Sequence, residues 1–319
     1  MRHTGASRGL AIALGLAMAW ALGGCQSRAK APTAASAPAK PLVAVTIFPL
    51  ESLTRELVGD GAQVVTLSPG GASPHTFDLS PETARQLASA SLVVRIGPGL
   101  DDWVAGLADS KAPVFVAMDH ATLLEGNPEV AHDHGAADDH AHAMDKDPHV
   151  WLDPDLMRRE VAPALAARLS ELGVAGVTDR LARLDADLAR LDSDLAARLK
   201  PLKQRRYAGA HPAWRYFNRR YGLDMVAAVE PVGGTEPSAR WLREVIGTIR
   251  AKGAVCLFTE VQLSDKLDRA VAKEAGLRVG VLDPLGAAEV AGRDSYQAMM
   301  RYNVEQFVEG LGGGPAENR

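Results

Sequence analysis

Both halves of this chain alternate short apolar runs with amphipathic segments, and this alternation constrains the fold. In the first half the apolar runs are residues 42–47, 63–67, 92–96 and 114–118, and helical patterns cover 50–58 and 81–90. In the second half the runs are 207–210, 225–229, 255–259 and 277–282, and helical patterns cover 238–251, 267–275 and 295–310. Strands that alternate with helices form parallel sheets covered on both faces. The sequence therefore predicts an α/β fold with two lobes, each built on a four-stranded parallel sheet with flanking helices.

A long helical region, residues 154–203, separates the predicted lobes at 41–153 and 204–319. Its later part carries leucines at steps of three and four: Leu181, Leu184, Leu188, Leu191, Leu195 and Leu199. These leucines fall on one face of a helix. With no Gly or Pro from 177 to 200, that helix would span roughly 36 Å at about 1.5 Å per residue. We expect one long rigid helix joining the lobes of a monomer; a coiled-coil dimer is the alternative, which fewer than three full heptads disfavour.

The N-terminal residues have the pattern of a bacterial lipoprotein signal and not of a folded element. Arg2 and Arg8 precede an apolar run at 10–22 that is short for a transmembrane helix. The run ends in Leu22-Gly23-Gly24-Cys25, which resembles a lipobox, so we expect residues 1–24 to be removed and Cys25 to carry a lipid. A plain secretory signal is the alternative. Residues 25–40, rich in Ala, Pro and Ser, are predicted to form a disordered tether, which would place the protein on the periplasmic side of a bacterial membrane.

Charge and cysteine content limit the partners and the crosslinks. The net charge is −4, and removal of residues 1–24 takes away two arginines and no acids, which gives −6. No basic patch indicates a nucleic-acid partner. If Cys25 is lipidated, Cys256 is the only remaining thiol, so no internal disulfide can form. Cys256 lies in an apolar run, which predicts a small buried side chain.

Histidines are concentrated in the middle of the chain. His132, His134, His140 and His142 are mixed with aspartates in a polar tract, which predicts weak, auxiliary metal binding within a loop at 120–149. His149 is different, because it follows Asp147-Pro148 and precedes the apolar pair Val150-Trp151. We interpret His149 as one ligand of a built metal site.

Four candidate ligands follow predicted strands, two in each lobe: His75, His149, His211 and Asp283. Ligands of open parallel sheets gather beyond the carboxyl ends of strands, so these side chains are expected to meet in the cleft between the lobes. Three imidazoles and one carboxylate suit four-coordinate zinc. Each residue also has an ordinary alternative as a turn residue beside a proline, and Asp153 before Pro154 is expected to be a helix N-cap.

The four candidate ligands lie in the motifs Ser73-Pro74-His75-Thr76-Phe77, Asp147-Pro148-His149-Val150-Trp151-Leu152-Asp153-Pro154, His211-Pro212-Ala213-Trp214-Arg215-Tyr216-Phe217 and Leu282-Asp283-Pro284-Leu285-Gly286. With these motifs, nearly all of residues 42–311 resembles the metal-binding class of ABC-transporter solute-binding proteins, in its ZnuA-like, zinc-type form. Supporting matches are Gly97-Pro98-Gly99-Leu100-Asp101-Asp102-Trp103, Glu236-Pro237-Ser238 and Phe258-Thr259-Glu260. The histidine-rich segment before the second motif is also typical of zinc-type members.

The resemblance implies a protein that captures Zn²⁺ and delivers it to an ABC permease and its ATPase. His211, where manganese-type relatives often carry Glu, favours zinc, and Mn²⁺ is the alternative ion. The third motif has Pro212 where many relatives have Asp, which removes a carboxylate that could support the ligand.

Two other classes of function remain as alternatives. The first is a periplasmic metal buffer or adhesin, which the histidine-rich tract allows. The second is a metal-dependent hydrolase, which needs an open coordination position. The chain has no HExxH motif, and four protein ligands would leave no place for a catalytic water.

Overall fold

The computed structural model describes residues 40–104, 112–126, 146–231, 234 and 236–312. The predicted signal and nearly all of the tether, with Cys25, lie outside these ranges, as do His132, His134, His140 and His142. In the ranges that are described, no helix is both long and apolar enough to cross a membrane.

The first half forms the predicted parallel sheet. Its strands are β1 (Leu42–Val45), β2 (Gln63–Thr66), β3 (Leu92–Arg95) and β4 (Val114–Val116), in the order β2-β1-β3-β4. Helix α1 (Phe48–Val58) connects β1 to β2, and α2 (Pro81–Ser89) precedes β3. Residues 43–45 and 92–94 are almost fully buried, because helices and loops cover both faces of the sheet.

The second half repeats this architecture. Strands β5 (Arg206–Gly209), β6 (Asp224–Ala228), β7 (Cys256–Glu260) and β8 (Arg278–Leu282) pair in parallel in the order β6-β5-β7-β8. Helices α6 (Arg215–Tyr221), α7 (Ala239–Lys252) and α8 (Asp265–Ala275) connect them, and α9 (Tyr296–Gly312) follows β8. The sequence did not predict α6 as a separate helix. Cys256 is fully buried, as predicted.

The helical region between the lobes contains several elements, and the last of them matches the long helix predicted between residues 177 and 200. It comprises α3 (Pro154–Leu156), a π-helical turn (Met157–Val161), α4 (Ala162–Glu171) and α5 (Val177–Leu199). The π turn lies just before Pro163, which has no N–H to continue the regular α-helical ladder. The chain turns between α4 and α5 because Gly173 and Gly176 adopt φ of 87° and 72°, a left-handed conformation that glycine tolerates. Asp153 caps α3 as predicted, accepting from the N–H groups of Asp155 and Leu156.

Helix α5 buries its leucine stripe in a core that continues from one lobe into the other. Leu184, Leu188, Leu191, Leu195 and Leu199 are at most 2% exposed and belong to one apolar cluster that includes residues of both sheets. Helix α5 packs on α1 from the first half and on α9 from the second. Helix α9 also contacts α1, and the N–H of Tyr296 donates to Ser52 Oγ over 2.9 Å. The lobes are therefore joined by a shared core and not by a free linker.

We predict that Leu188→Ala lowers the free energy of unfolding by about 2–5 kcal/mol, because the fully buried side chain would leave a cavity in this shared core. Urea unfolding of the metal-free protein measures the loss. Leu181→Ala is the matched control, since Leu181 lies on the same stripe but is only partly buried and should cost clearly less. Equal losses for the two variants would contradict a stripe buried along its centre.

Candidate metal centre

His75 lies in the loop that follows β2, and two contacts fix that loop against the β3–β4 connection. Its Nδ1 is 3.2 Å from the carbonyl oxygen of Gly99, and Trp103 Nε1 donates to the carbonyl of Pro74 over 3.2 Å. The N–H of Gly99 in turn donates to Asp102 Oδ2. The Nδ1 contact leaves Nε2 of His75 free to bind a metal.

His149 is oriented by the residue two positions before it. Asp147 Oδ1 accepts from both the backbone N–H and the ring Nδ1–H of His149, over 3.0 and 2.8 Å. The Asp147 carbonyl accepts from the hydroxyl of Tyr216, which belongs to α6 in the other half of the chain. Asp147 is 4% exposed and His149 is 6% exposed, so this pair is part of the packed interior.

His211 follows β5, and a buried carboxylate from β7 lies behind it. Glu260 Oε2 is 3.0 Å from His211 Nδ1, and Glu260 Oε1 accepts from Trp214 Nε1 over 3.1 Å. Glu260 is 3% exposed and His211 is 5% exposed. In the sequence, Glu260 stood out only as part of a family motif, and no role was predicted for it. Pro212 implied that His211 has no supporting carboxylate from its own loop; in the structure Glu260, on a different strand, provides one.

The three histidines converge, as the sequence predicted from their places after strands. One ligand nitrogen from each lies within 4.8 Å of the others, and Nε2 of His75 is 3.3 Å from Nε2 of His149. Two nitrogens of a tetrahedral zinc site, at Zn–N distances of about 2.0–2.1 Å, are themselves about 3.3 Å apart. The separation of this pair therefore suits a zinc ion without further movement.

Asp283 lies at the end of β8 but its carboxylate is not part of that group of nitrogens. Oδ1 accepts from Gln262 Nε2 over 2.7 Å and from the N–H groups of Leu285 and Gly286. Oδ2 accepts from Arg293 Nη1 over 2.7 Å. In this arrangement Asp283 holds a turn, and its coordination of a metal stays a prediction that requires the ion pair with Arg293 to open.

The electrostatic surroundings shift the pKa values of His75 and His211 in opposite directions. Burial lowers the pKa of His75 well below its ordinary value, and the neighbouring rings of His149 and His211 lower it further. Burial alone would also lower the pKa of His211, but the carboxylate of Glu260 outweighs burial and raises it. His75 is therefore neutral and able to bind a cation at neutral pH, whereas His211 keeps a bound proton to a higher pH than an ordinary imidazole does.

A family model described as zinc-uptake complex component A, periplasmic (ZnuA), matches residues 43–310. The chain belongs to this family. Its members are metal-binding components of transport systems and not enzymes. The ZnuA-like resemblance that the motifs carried is thereby confirmed, and a hydrolase is excluded.

Individual relatives agree with the family. The chain is 29% identical over 290 residues to the high-affinity zinc uptake system protein ZnuA of Yersinia pestis, covering 84% of this chain and 91% of that one. A crystal structure of a zinc-bound ZnuA with residues 138–173 deleted superposes with a TM-score of 0.72 at 31% identity, over 86% of this chain and all of the other. The periplasmic zinc-binding protein TroA of Treponema pallidum, at 21% identity and a TM-score of 0.72, has the same fold.

We predict that zinc binding releases a proton near neutral pH, because the metal binds only neutral imidazole and the pKa of His211 is raised. As pH falls through that raised pKa, protons compete increasingly for His211, so zinc affinity should decline from a higher pH than for free imidazole, whose pKa is about 6.5. Calorimetry in buffers of different ionisation enthalpy counts the protons released. His120→Ala, which alters an exposed histidine stacked on Phe115, should leave the count unchanged. Zinc affinity that is constant between about pH 7.5 and pH 5.5 would contradict a site built on three histidines.

Proposed function

We propose that this chain captures Zn²⁺ outside the cytoplasm and delivers it to an ABC-type permease driven by its ATPase. The observation that supports this most directly is the convergence of three imidazoles from three separate loops, two of them backed by buried carboxylates. Membership of a zinc-uptake family supports the same function. Nitrogen-rich coordination favours zinc over manganese, which prefers oxygen ligands.

The proposed ligands are His75, His149, His211 and Asp283. One ligand nitrogen from each imidazole already lies within 4.8 Å of the others, whereas Asp283 must exchange Arg293 for the metal. The exchange keeps a cation beside the same carboxylate, because the incoming dication replaces a guanidinium. Arg293 can leave toward solvent, since its side chain is 22% exposed, whereas that of Asp283 is 3% exposed.

The proposal extends to segments outside the described ranges. Lipid attached to Cys25 would hold the protein at the membrane near the permease, with the tether giving it reach. His132, His134, His140 and His142 would bind further zinc weakly, because an Ala-, Gly- and Asp-rich tract has too little apolar surface to order its imidazoles.

We predict that His149→Ala abolishes zinc uptake by cells that depend on this chain when zinc is scarce. Purified His149→Ala protein with residues 132–142 also deleted should bind zinc at least about 100-fold more weakly than the same deletion alone, because a ligand and its Asp147-fixed orientation are both lost. Uptake of radioactive zinc and competition with a chelator measure the two effects.

The deletion of 132–142 by itself is the first control and should keep one tight zinc per chain. His120→Ala is the second, since it removes an exposed imidazole outside the cluster and should leave both uptake and affinity unchanged. Normal uptake by cells carrying His149→Ala would refute the proposed role of the site in transport. Tight zinc binding without any uptake by the unaltered chain would instead favour a metal buffer.

The fourth ligand has a test of its own. If Asp283 must leave Arg293 to bind zinc, Arg293→Gln should strengthen zinc binding, because no cation then competes for the carboxylate. Asp283→Asn should weaken binding by about 10-fold or more, the lower end of what the loss of a supporting group costs. Chelator competition measures both variants.

Arg269→Gln provides the control, because Arg269 pairs with Asp265 on the surface of α8 and has no contact with the site. If Arg293→Gln and Asp283→Asn both bound zinc as the unaltered protein does, Asp283 would be only a turn residue and the site would consist of three histidines.

A further inference from the structure

Glu260 is a buried carboxylate with two separate partners. It is the last residue of β7 and is 3% exposed. One oxygen accepts from Trp214 Nε1 over 3.1 Å, and the other lies 3.0 Å from His211 Nδ1. Both partners belong to the segment that follows β5, so Glu260 links the end of one strand to the ligand loop of its neighbour.

The contact with His211 has the distance of a hydrogen bond but the ring N–H is poorly aligned with the oxygen. An imidazole that donates Nδ1–H to a carboxylate must present Nε2, the atom that then binds a metal. The carboxylate also makes that nitrogen a stronger donor. A small rotation of the His211 ring would align the bond.

The charge of a bound metal ion gives Glu260 a second role. Three neutral imidazoles carry no charge that balances a bound dication, and the proposed ligand Asp283 contributes only one negative charge. Burying a charge without a full counter-charge is costly. Asp147, which contacts the ring of His149, and Glu260, which contacts the ring of His211, supply further negative charge. Each is separated from the ion by an imidazole ring. His75 has only the Gly99 carbonyl behind it.

We propose that Glu260 is a positioning residue of the metal site, which holds His211 with Nε2 toward the ion and supplies part of the buried negative charge that balances it. This inference rests on the proposed function, in which His211 is a zinc ligand. Glu260 itself does not touch the metal.

The variant that tests the role is Glu260→Gln. Trp214 and His211 contact different oxygens of Glu260, and glutamine replaces one of these oxygens with an NH₂ group that cannot accept a hydrogen bond. Glutamine also carries no charge. We expect zinc affinity to fall about 10- to 100-fold, the range for loss of a group that supports a metal ligand. Asp268→Asn is the control for removing another buried carboxyl group from the same lobe: burial raises the pKa of Asp268 to about 7, so this change removes less charge, and affinity should change less than about threefold. An equal loss in the two variants, or none in Glu260→Gln, would overturn the inference.

Trp214→Phe distinguishes the positioning of His211 by Glu260 from a general contribution of Glu260 to the fold. It removes the other hydrogen bond of the carboxylate while the contact with His211 remains, so zinc affinity should stay within about threefold of the unaltered protein even if the free energy of unfolding falls. If Trp214→Phe weakened zinc binding as strongly as Glu260→Gln, the carboxylate would act by supporting the fold and the inference would be wrong.

A double-mutant cycle shows whether Glu260 acts through His211. In the His211→Ala background, Glu260→Gln should weaken zinc binding by a much smaller factor, because the group that it positions is already absent and only the loss of charge remains. The same factor of weakening in both backgrounds would overturn the inference. If His211→Ala alone bound zinc as tightly as the unaltered protein, the proposed ligand set would fail; if His211→Ala lost zinc and Glu260→Gln did not, only the present inference would fail.

A spectroscopic readout applies to the zinc-bound protein directly. The Nδ1 proton of His211 should exchange slowly with solvent in the unaltered protein and in Asp268→Asn, and faster in Glu260→Gln, as followed by nitrogen-15 imidazole spectra. An exchange rate that is unchanged in Glu260→Gln would show that the carboxylate does not hold this proton.

Discussion

The buried stripe of α5 is the constraint on which the rest of the structure depends. Its leucines lie in one core with residues of both sheets, and α9 returns from the second lobe to pack on α1 of the first. Apolar burial contributes about 25 cal/mol per Å², so any motion that separated the lobes would expose this core. The ends of strands in one lobe therefore stand at a fixed distance from those of the other, which is what allows ligands from distant parts of the sequence to meet.

The sequence predicted the sheets well because buried parallel strands are continuous apolar runs, and all eight occur close to the predicted positions. The three histidines could be singled out because they follow such strands directly, and the structure brings their rings together. The leucine periodicity predicted α5 but not the shorter helices before it, which end at the turn made by Gly173 and Gly176. The packing of α9 against α1 depends on contacts between residues far apart in the chain, which no local pattern contains.

The chemistry around the ligands was harder to predict for a related reason. Glu260 lies in an apolar strand, and only the pairing of β5 with β7 places it behind His211. The role of Asp147 is easier to infer from the sequence, because it supports a histidine only two residues away. For Asp283 the position after a strand suggested a metal ligand. The structure instead pairs its carboxylate with Arg293, ten residues later, and no pattern in the sequence indicates that the loop brings this arginine back to Asp283.

The shared core and the hydrogen bonds beside the site together determine how an ion can leave. Trp151 Nε1 donates to the Pro284 carbonyl and the Tyr216 hydroxyl to the Asp147 carbonyl, so wide opening would break bonds next to the ligands as well as expose the core. In the proposed zinc site, we therefore expect release to begin with a ligand and not with a hinge. Of the three histidines, His75 alone is only partly buried, and its ring is backed by the Gly99 carbonyl and not by a carboxylate. We expect the His75 side chain to yield while His149 and His211 remain held, so that zinc exchanges on its solvent side.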